Sequence, residues 1–356
     1  MKSALAENRH LVWLASLLMH FAAPETAAAG YLDMHVHTAG IGAGDSGAFV
    51  NEAMRGNLRF PIYLRAFGVS ERELEEQGDA VVIARISESV ARSRTVSRAV
   101  VLAMDGAIDA AGNLDRSATQ VYVPNDFVAA ETARYGNLCF GASVNPYRRD
   151  AVERLRHVKA DGALLVKWIP NIMHIDPADP ELEPFYRALV TLGLPLLSHA
   201  GRERSFASAD DDLGDPLRLA LPLSLGVTVI AAHIAAAGDT DGVDNFERIL
   251  PLFERHPNLY ADISSLTQIN RLGYLGRALD VPGLVPRLVY GTDWPLQFFP
   301  LVSPYYHIGR IGWTQANSIA AIDSPWDRDV ALKKASGVPE EVFERSGTLL
   351  PAERCD

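Results

Sequence analysis

Two histidines separated by a single residue, His35 and His37, stand near the start of the sequence within the segment Asp-Met-His-Val-His. Residues two apart in an extended strand point to the same side, so both imidazoles can approach one metal ion. A half-buried strand that merely carries two histidines would show the same spacing. The pair alone is therefore weak evidence, and a metal site requires further ligands elsewhere in the chain.

Residues of the ligand type recur at the ends of later apolar segments. His199 ends the run Leu-Leu-Ser-His, His233 ends Ile-Ala-Ala-His, and Asp293 ends Tyr-Gly-Thr-Asp. A lone histidine there is more often a hydrogen-bonded core residue, and a lone aspartate more often caps a helix. Five such residues on one face are hard to assign to chance. Imidazoles with one carboxylate suit Zn²⁺, and iron, manganese or cobalt are alternatives because ligand type selects poorly among divalent metals.

The elements that must position these side chains alternate between short β-rich segments and longer helix-like segments, as in βα units around a parallel sheet. The predicted strands are 31–37, 99–104, 138–144, 163–168, 194–199, 228–233, 259–263 and 288–293. The predicted helices are 151–160, 183–192, 215–225 and 245–256, with terminal helices at 326–335 and 339–349. Eight strands predict a single-domain (β/α)₈ TIM barrel, in which all the carboxyl ends of the strands meet on one face.

The connection from residue 38 to 98 is much longer than a standard loop between a barrel strand and its helix. It begins with a glycine-rich run, 39–47. Long ordered loops in compact domains are often lids or binding loops. The run lacks the GxxxxGK[ST] order of a phosphate-binding loop, so we interpret it as a flexible cover over the strand ends.

Composition favours one large globular domain, with 356 residues of which 48% are hydrophobic and 22% charged. The formal net charge of −11 argues against a nucleic-acid partner and leaves a small-molecule substrate as the expected ligand. The two cysteines, Cys139 and Cys355, indicate neither a disulfide framework nor a CxxC metal site. The cysteines therefore do not indicate whether the protein works in an oxidising or a reducing compartment.

The first 29 residues have mixed features. Two basic residues precede an apolar stretch at 11–23, and a run of alanines follows it, as in a secretory signal peptide. An acidic residue in the basic region and a histidine in the apolar stretch count against that interpretation. Residues 1–29 are thus either a signal peptide, which would make the protein periplasmic or secreted, or a retained N-terminal helix of a cytoplasmic protein. The stretch is too short for a membrane span, and residues 30–356 form the predicted barrel.

Taken in order, the D-x-H-x-H opening, the histidines ending the fifth and sixth strands and the G-T-D-x-P closing segment resemble the amidohydrolase superfamily. The resemblance is to its amidohydrolase-2 branch and spans roughly residues 31–295. It implies a metal-dependent hydrolase that cleaves an amide, ester or lactone bond of a small molecule. It also implies a divalent metal, Zn²⁺ first, with one or two ions, and a homodimer as is common in this branch.

The same resemblance implies roles for individual residues. His35, His37, His199 and Asp293 would bind the catalytic metal. Asp293 would also shuttle the proton of the attacking water, and His233 would act as acid and base or as ligand to a second ion.

Lys167, at the end of the fourth strand, departs from the mononuclear pattern. Some members of the superfamily carry a carboxylated lysine there, which bridges two metals. The alternative is a free cation that binds a substrate carboxylate or pairs with Asp293. We favour this alternative and keep Lys167 as a metal ligand only for the carboxylated, binuclear case.

Four further residues are secondary candidates. Arg202 and His174 lie in loops after predicted strands and are candidates for substrate binding, with a solvated loop charge as the alternative for each. Asp262 and Ser264, at the end of the seventh strand, are expected to support the metal ligands by hydrogen bonding.

Two other classes of function remain open at this stage. Non-oxidative decarboxylation of an aromatic or unsaturated acid uses nearly the same ligand set in this branch, because fold does not determine function. A non-catalytic barrel that only binds a metal or ligand is the third class. The complete ligand set favours an enzyme over this third class.

Overall fold

The computed structural model describes residues 30–350 and Cys355. The predicted signal peptide or helix at 1–29 lies outside the described residues. Eight strands correspond one to one with those predicted: β1 Tyr31–His37, β2 Val96–Leu102, β3 Leu138–Gly141, β4 Val166–Trp168, β5 Leu196–His199, β6 Val229–Ala232, β7 Leu259–Asp262 and β8 Leu288–Val289.

Every pairing between neighbouring strands of this set of eight is parallel. Regular ladders join β1, β2 and β3 into one sheet and β4 to β8 into a second. Single parallel bridges connect the sheets at both edges, Ala142 to Val166 and Val36 to Trp294. The architecture is the predicted TIM barrel, with its two sheets linked by bridges at these junctions.

Helices follow the strands and cover the outside of the sheets. Residues 151–160 and 183–192 are helical as predicted, whereas the predicted helix at 215–225 is a 3₁₀ turn, Pro216–Leu219, followed by a short α-helix. The α-helices are α1 Glu52–Arg55, α2 Phe60–Ala66, α3 Glu71–Gln77, α4 Ala80–Ala91, α5 Asn125–Thr132, α6 Ala151–Ala160, α7 Pro170–Met173, α8 Glu183–Leu192, α9 Ala220–Ser224, α10 Asn245–Arg255, α11 Tyr274–Asp280, α12 Ile308–Ala320, α13 Pro325–Ala335 and α14 Glu340–Leu349. None of the helices in the described part of the chain has the length and apolarity that crossing a membrane requires.

Apolar side chains fill both sides of the strands, as expected for parallel strands that are buried on both faces. The barrel interior is a separate cluster that includes Leu32, Met34, Val100, Leu197, Ile230 and Val289. A larger cluster packs the outer faces of the strands against the helices. Because both clusters are buried, the strand ends that carry the polar residues are held in fixed relative positions.

The segment between β1 and β2 is more structured than a loop. It contains α1 to α4 and a short strand, Phe49–Val50, which pairs antiparallel with Val121–Tyr122. The glycine-rich run at its start is tied down by Asp79, whose carboxylate accepts hydrogen bonds from the backbone N–H groups of Ile41 and Gly42. The run is therefore a hydrogen-bonded turn, a difference from the flexible cover expected from glycine content.

Cys139 and Cys355 form a disulfide across 216 residues of sequence. The two cysteines therefore pair with each other, which their positions in the sequence did not indicate. Cys139 belongs to the cluster inside the barrel, and Leu350, just beyond α14, packs into the same cluster. Leu350 and Cys355 thus both lie against the barrel interior, where Cys355 meets a partner that is remote in sequence.

Candidate metal centre

Both histidines of β1 lie at the carboxyl end of that strand, close to a shift in its register. The pairing of β1 with β2 shifts between Asp33 and Val36, so the strand does not alternate evenly there. Met34 points into the barrel interior, whereas Val36 packs in the outer cluster. His35 and His37 then face the same side, with their Nε2 atoms 3.2 Å apart.

Asp293 completes this group from the segment after β8, where its backbone has a φ of 64°. One carboxylate oxygen, Oδ1, lies 3.4 Å from His35 Nε2 and 3.2 Å from His37 Nε2. The other oxygen, Oδ2, accepts a hydrogen bond of 2.6 Å from Ser265 Oγ. Burial acts to raise the pKa of Asp293, but the neighbouring imidazoles outweigh burial and hold it well below its usual range. The carboxyl group is therefore ionised at neutral pH.

Asp33 fixes the two strand ends that carry these ligands. Its carboxylate accepts hydrogen bonds from the backbone N–H of Thr292, at 3.0 Å, and from the indole N–H of Trp326, at 2.8 Å. It also accepts from the backbone N–H of His35. Burial raises the pKa of Asp33 to about 6, despite these donors. The first aspartate of the D-x-H-x-H segment thus joins β1 to the segment after β8.

Asp262, at the end of β7, holds two of the histidines. Its Oδ2 accepts a hydrogen bond of 2.8 Å from His35 Nδ1, and its Oδ1 accepts from the backbone N–H groups of His233 and Ser264, at 2.9 and 3.0 Å. Burial opposes ionisation of Asp262, but the charge and hydrogen bond of His35 lower its pKa. With the proton on Nδ1, the lone pair of His35 Nε2 faces the ligand group, so Asp262 selects the tautomer that can bind a metal.

His233 follows β6 with a left-handed backbone, φ 55°. Ser264 Oγ donates to Asp262 and therefore accepts at 2.7 Å from His233 Nδ1. This leaves His233 Nε2 without a proton, 3.9 Å from Asp293 Oδ2. Burial, reinforced by the charge of Arg271, lowers the pKa of His233 well below its usual range. His233 is thus a neutral imidazole whose free nitrogen faces the carboxylate. The hydrogen bonding expected of Asp262 and Ser264 is present.

His199, at the end of β5, lies beside His233, with ring centroids 5.4 Å apart. Its Nδ1 is 3.6 Å from a carboxylate oxygen of Glu203. Its Nε2 is buried and has no hydrogen-bond partner among the described residues. Burial is also the main cause that lowers the pKa of His199.

The donor set fits a divalent ion. His35 Nε2, His37 Nε2 and Asp293 Oδ1 lie within 4.8 Å of one another, a spacing that suits three ligand atoms around one ion. Burial lowers the pKa of His35 to about 4, which keeps it in the unprotonated form that binds metals. His37 Nδ1, like His199 Nε2, is buried without a partner in the described part of the chain. The structure therefore brings together three of the four residues predicted to bind metal, His35, His37 and Asp293. His199 lies beside His233 and lines the same cavity, outside this group of three.

Lys167 also reaches this group. Its Nζ donates to His35 Nε2 at 3.0 Å, and burial lowers its pKa to about 8 against the opposing effect of Asp262 and Asp293. Among the described residues no carboxylate oxygen lies within 4.0 Å of Nζ, so the expected pairing with Asp293 is absent. An ammonium group here contacts the same nitrogen that a metal ion would use.

A cavity of about 440 Å³ opens above these residues. Lys167, His199, His233 and Asp293 line its floor. One part of its wall is apolar and comes from the segment between β1 and β2, which therefore covers the strand ends as predicted: Val50, Met54, Phe60, Leu64 and Phe67. Leu301 adds to this apolar part. A cavity of this size and lining is typical of a small-molecule site.

The two loop candidates differ in position. Arg202 lines the cavity, but its guanidinium pairs with Asp211 at 3.0 Å. His174 is exposed and does not line the cavity, so the structure does not bring it to the candidate site. It follows α7 as its C-cap residue in a left-handed conformation, φ 53°.

Sequence reasoning missed four charged residues of the cavity wall, Arg59, Glu203, Arg204 and Arg271, of which Arg271 is the buried one. Glu203 follows His199 by four residues, and this short separation could have indicated that its carboxylate lies near the His199 ring. Arg271 lies in a 3₁₀ turn, Ile269–Arg271, beyond the end of β7. No motif marks it, and only its burial distinguishes it from surface arginines.

A parallel barrel with histidines and an aspartate at the carboxyl ends of its strands is an arrangement that can bind a metal ion for catalysis. The family model for amidohydrolases matches residues 32–300, which is more than half of the chain. The chain therefore belongs to the amidohydrolase family, and the predicted resemblance is confirmed. Members of this family typically bind a divalent metal and act on small-molecule substrates. A search among curated proteins gives no match.

Solved structures with the same fold support the barrel. One is an uncharacterised TIM-barrel protein from Bordetella bronchiseptica, with 17% identity, a TM-score of 0.51 and coverage of 75% of this chain and 86% of the other. Another is a protein from Pseudomonas putida with the provisional name 2-pyrone-4,6-dicarboxylic acid hydrolase. It has 13% identity, a TM-score of 0.54 and coverage of 91% of this chain and 98% of the other. At these identities the similarity concerns the fold alone.

Proposed function

We propose that the protein hydrolyses an amide, ester or lactone bond of a small molecule, using one bound Zn²⁺. The observation that carries the proposal is the buried, ionised Asp293, which lies beside the imidazoles of His35 and His37 at the floor of a cavity. Family membership supports hydrolysis in general. The type of bond is part of the proposal.

The residues that would hold the ion are His35, His37, His199 and Asp293. A bound divalent ion lowers the pKa of water to about 7 and polarises the carbonyl that is attacked. Ser265 Oγ donates to Asp293 Oδ2 and so fixes the orientation of the carboxylate. Asp293 accepts the proton of the attacking water, as a general base in hydrogen-bond reach can.

His233 would carry that proton onward. Its Nε2 bears a free lone pair and lies 3.9 Å from Asp293 Oδ2. Its lowered pKa means that it releases a proton readily once it has received one. We therefore assign His233 the transfer of the proton from Asp293 to the leaving group.

Activity of the zinc-loaded protein tests this proposal. Lactones, esters and amides are assayed for acid release, and aromatic acids are assayed in parallel for release of carbon dioxide. Asp293→Asn should lower turnover by about 10²- to 10⁴-fold, the usual contribution of a general base. Asp215→Asn is the matched control, because Asp215 pairs with Arg248 outside the cavity.

Three results would count against the proposal. Full turnover by Asp293→Asn would remove its assigned role. Carbon dioxide release without hydrolysis would identify the protein as a decarboxylase. Less than one equivalent of tightly bound metal, with no turnover in either assay, would favour a non-catalytic binding barrel.

We also propose that the protein works in an oxidising compartment, the periplasm or the exterior. The disulfide between Cys139 and Cys355 supports this, since disulfides are rare where thiols are kept reduced. Fractionation of the native host with detection of the mature N-terminus tests it. Recovery in the cytoplasm with both thiols free would contradict it.

A further inference from the structure

Arg271 is a buried cation in the cavity that lacks an anionic partner. The residue is 8% exposed and lines the cavity. Its Nη1 donates to Gln268 Oε1 at 3.1 Å, while its Nε is buried with no partner among the described residues. In the same part of the chain, no carboxylate oxygen lies within 4.0 Å of its guanidinium. Buried charges are ordinarily paired, so the guanidinium of Arg271 lacks the anionic partner that its burial calls for.

Arg148, another buried arginine of this protein, has a carboxylate partner. It is also 8% exposed, and its guanidinium binds both carboxylate oxygens of Asp105, at 2.7 and 2.5 Å. Arg202, at the cavity wall, likewise has a carboxylate partner, Asp211. Arg271 differs from both, because its open N–H groups belong to a residue that lines an enclosed space. The missing partner is therefore expected to be a ligand.

The orientation of Arg271 is built into the site. Gln268, which accepts from Arg271, donates through its Nε2 to Ser265 Oγ at 2.9 Å. Ser265 Oγ in turn donates to Asp293 Oδ2. This chain of hydrogen bonds fixes the guanidinium relative to the carboxylate at which the proposed reaction occurs. A group bound by Arg271 would therefore be held at a defined position relative to Asp293.

The surroundings favour a carboxylate as that group. The planar guanidinium fork binds a carboxylate through two parallel hydrogen bonds. Cations outnumber carboxylates in the cavity lining, which favours an anionic ligand there: Arg59, Lys167, Arg202, Arg204 and Arg271 beside Glu203 and Asp293. The apolar wall, which includes Phe60, Leu64 and Leu301, suits a hydrophobic body attached to that carboxylate.

We propose that Arg271 binds a carboxylate of the substrate, so that the protein acts on small organic acids with an apolar body. The proposal rests on the proposed function, since it names the substrate class of the same site. It assigns the role of carboxylate recognition to Arg271, a residue outside the set predicted from sequence.

Binding of benzoate and of benzamide, its uncharged counterpart, tests the proposal by calorimetry on the zinc-loaded full-length protein. The wild type should bind benzoate at least tenfold more tightly than benzamide. Arg271→Met should lose this preference, and Arg271→Lys should retain part of it. Arg65→Met removes an exposed arginine of α2 that does not line the cavity, and it should match the wild type.

Equal binding of the two probes by the wild type, or no binding of benzoate, would overturn the proposal. So would a benzoate preference that persists in Arg271→Met, because the carboxylate would then bind elsewhere, for example to the metal. If Arg271→Met fails to fold by circular dichroism, Arg271→Lys decides, and an unreduced preference in it counts against the proposal.

The two proposals can fail separately. Hydrolysis of neutral esters or lactones without any carboxylate preference would leave the hydrolase and remove the role of Arg271. Benzoate binding that depends on Arg271, without hydrolysis of any substrate tested, would leave the carboxylate site and remove the hydrolase.

Discussion

Replacing Asp262 by asparagine should prevent His35 from binding a metal ion, although Asp262 is not itself one of the proposed ligands. Oδ1 of Asp262 accepts from the backbone N–H of His233 and of Ser264 and from the Ser264 hydroxyl. In Asp262→Asn the amide oxygen must take this side, because an NH₂ group cannot accept three hydrogen bonds. The NH₂ group then faces His35 Nδ1, which must accept a hydrogen bond. The proton of His35 moves to Nε2, the atom that would bind the ion.

The size of the effect follows from the hydrogen bond that the substitution removes. The bond from His35 Nδ1 to Asp262 measures 2.8 Å, is fully buried and involves a charged acceptor. Such a bond contributes about 1.5–3 kcal/mol, which corresponds to roughly 10- to 150-fold in affinity. Removal of groups that orient metal-binding histidines typically weakens binding by about 10- to 100-fold. We therefore expect zinc affinity to fall by about 10- to 100-fold.

Competition with a chelating dye measures the zinc affinity of both proteins, and two-bond ¹H–¹⁵N spectra of the metal-free forms report the tautomer of His35. Asp215→Asn, outside the cavity, controls for the removal of a partly buried carboxylate. A folded Asp262→Asn variant that binds zinc within about threefold of wild type would refute the reasoning. So would an unchanged tautomer of His35.

Two other perturbations address the metal count and the C-terminal segment. Lys167→Met should tighten zinc binding, because it removes an ammonium group that contacts His35 Nε2 at 3.0 Å. Metal analysis should find one ion in both the wild type and the variant. Two ions in the wild type and one in the variant would instead show a carboxylated, bridging lysine. Cys139→Ser should lower the free energy of unfolding by about 2–4 kcal/mol in urea titrations, since the disulfide constrains a long segment of the unfolded chain. Reduced wild type should match this variant, and identical curves for oxidised and reduced protein would exclude the effect.

The barrel and the position of the histidines and Asp293 at the carboxyl ends of its strands were predictable because both depend on local patterns. An apolar β-rich segment marks each strand, and parallel topology alone then brings His199 and Asp293 to the same face. Helices such as α6 and α8 have clear amphipathic periodicity and were predicted with their observed bounds. Of the helices between β1 and β2, α1, α2 and α3 have only four to seven residues each, whereas α4 has twelve and was missed despite its length. Segments as short as α1, α2 and α3 give little periodicity to detect.

What could not be predicted depends on partners that are remote in sequence. Arg148 and Arg271 are equivalent as sequence features, and both are buried to the same degree. Only the fold shows that Asp105 meets the guanidinium of Arg148 and that the guanidinium of Arg271 faces a cavity instead. The cost of leaving a buried cation unpaired is several kcal/mol, so such a residue is retained only where something offsets that cost. In a cavity whose floor already holds the reacting groups, binding of an anionic substrate is the interaction that would offset it.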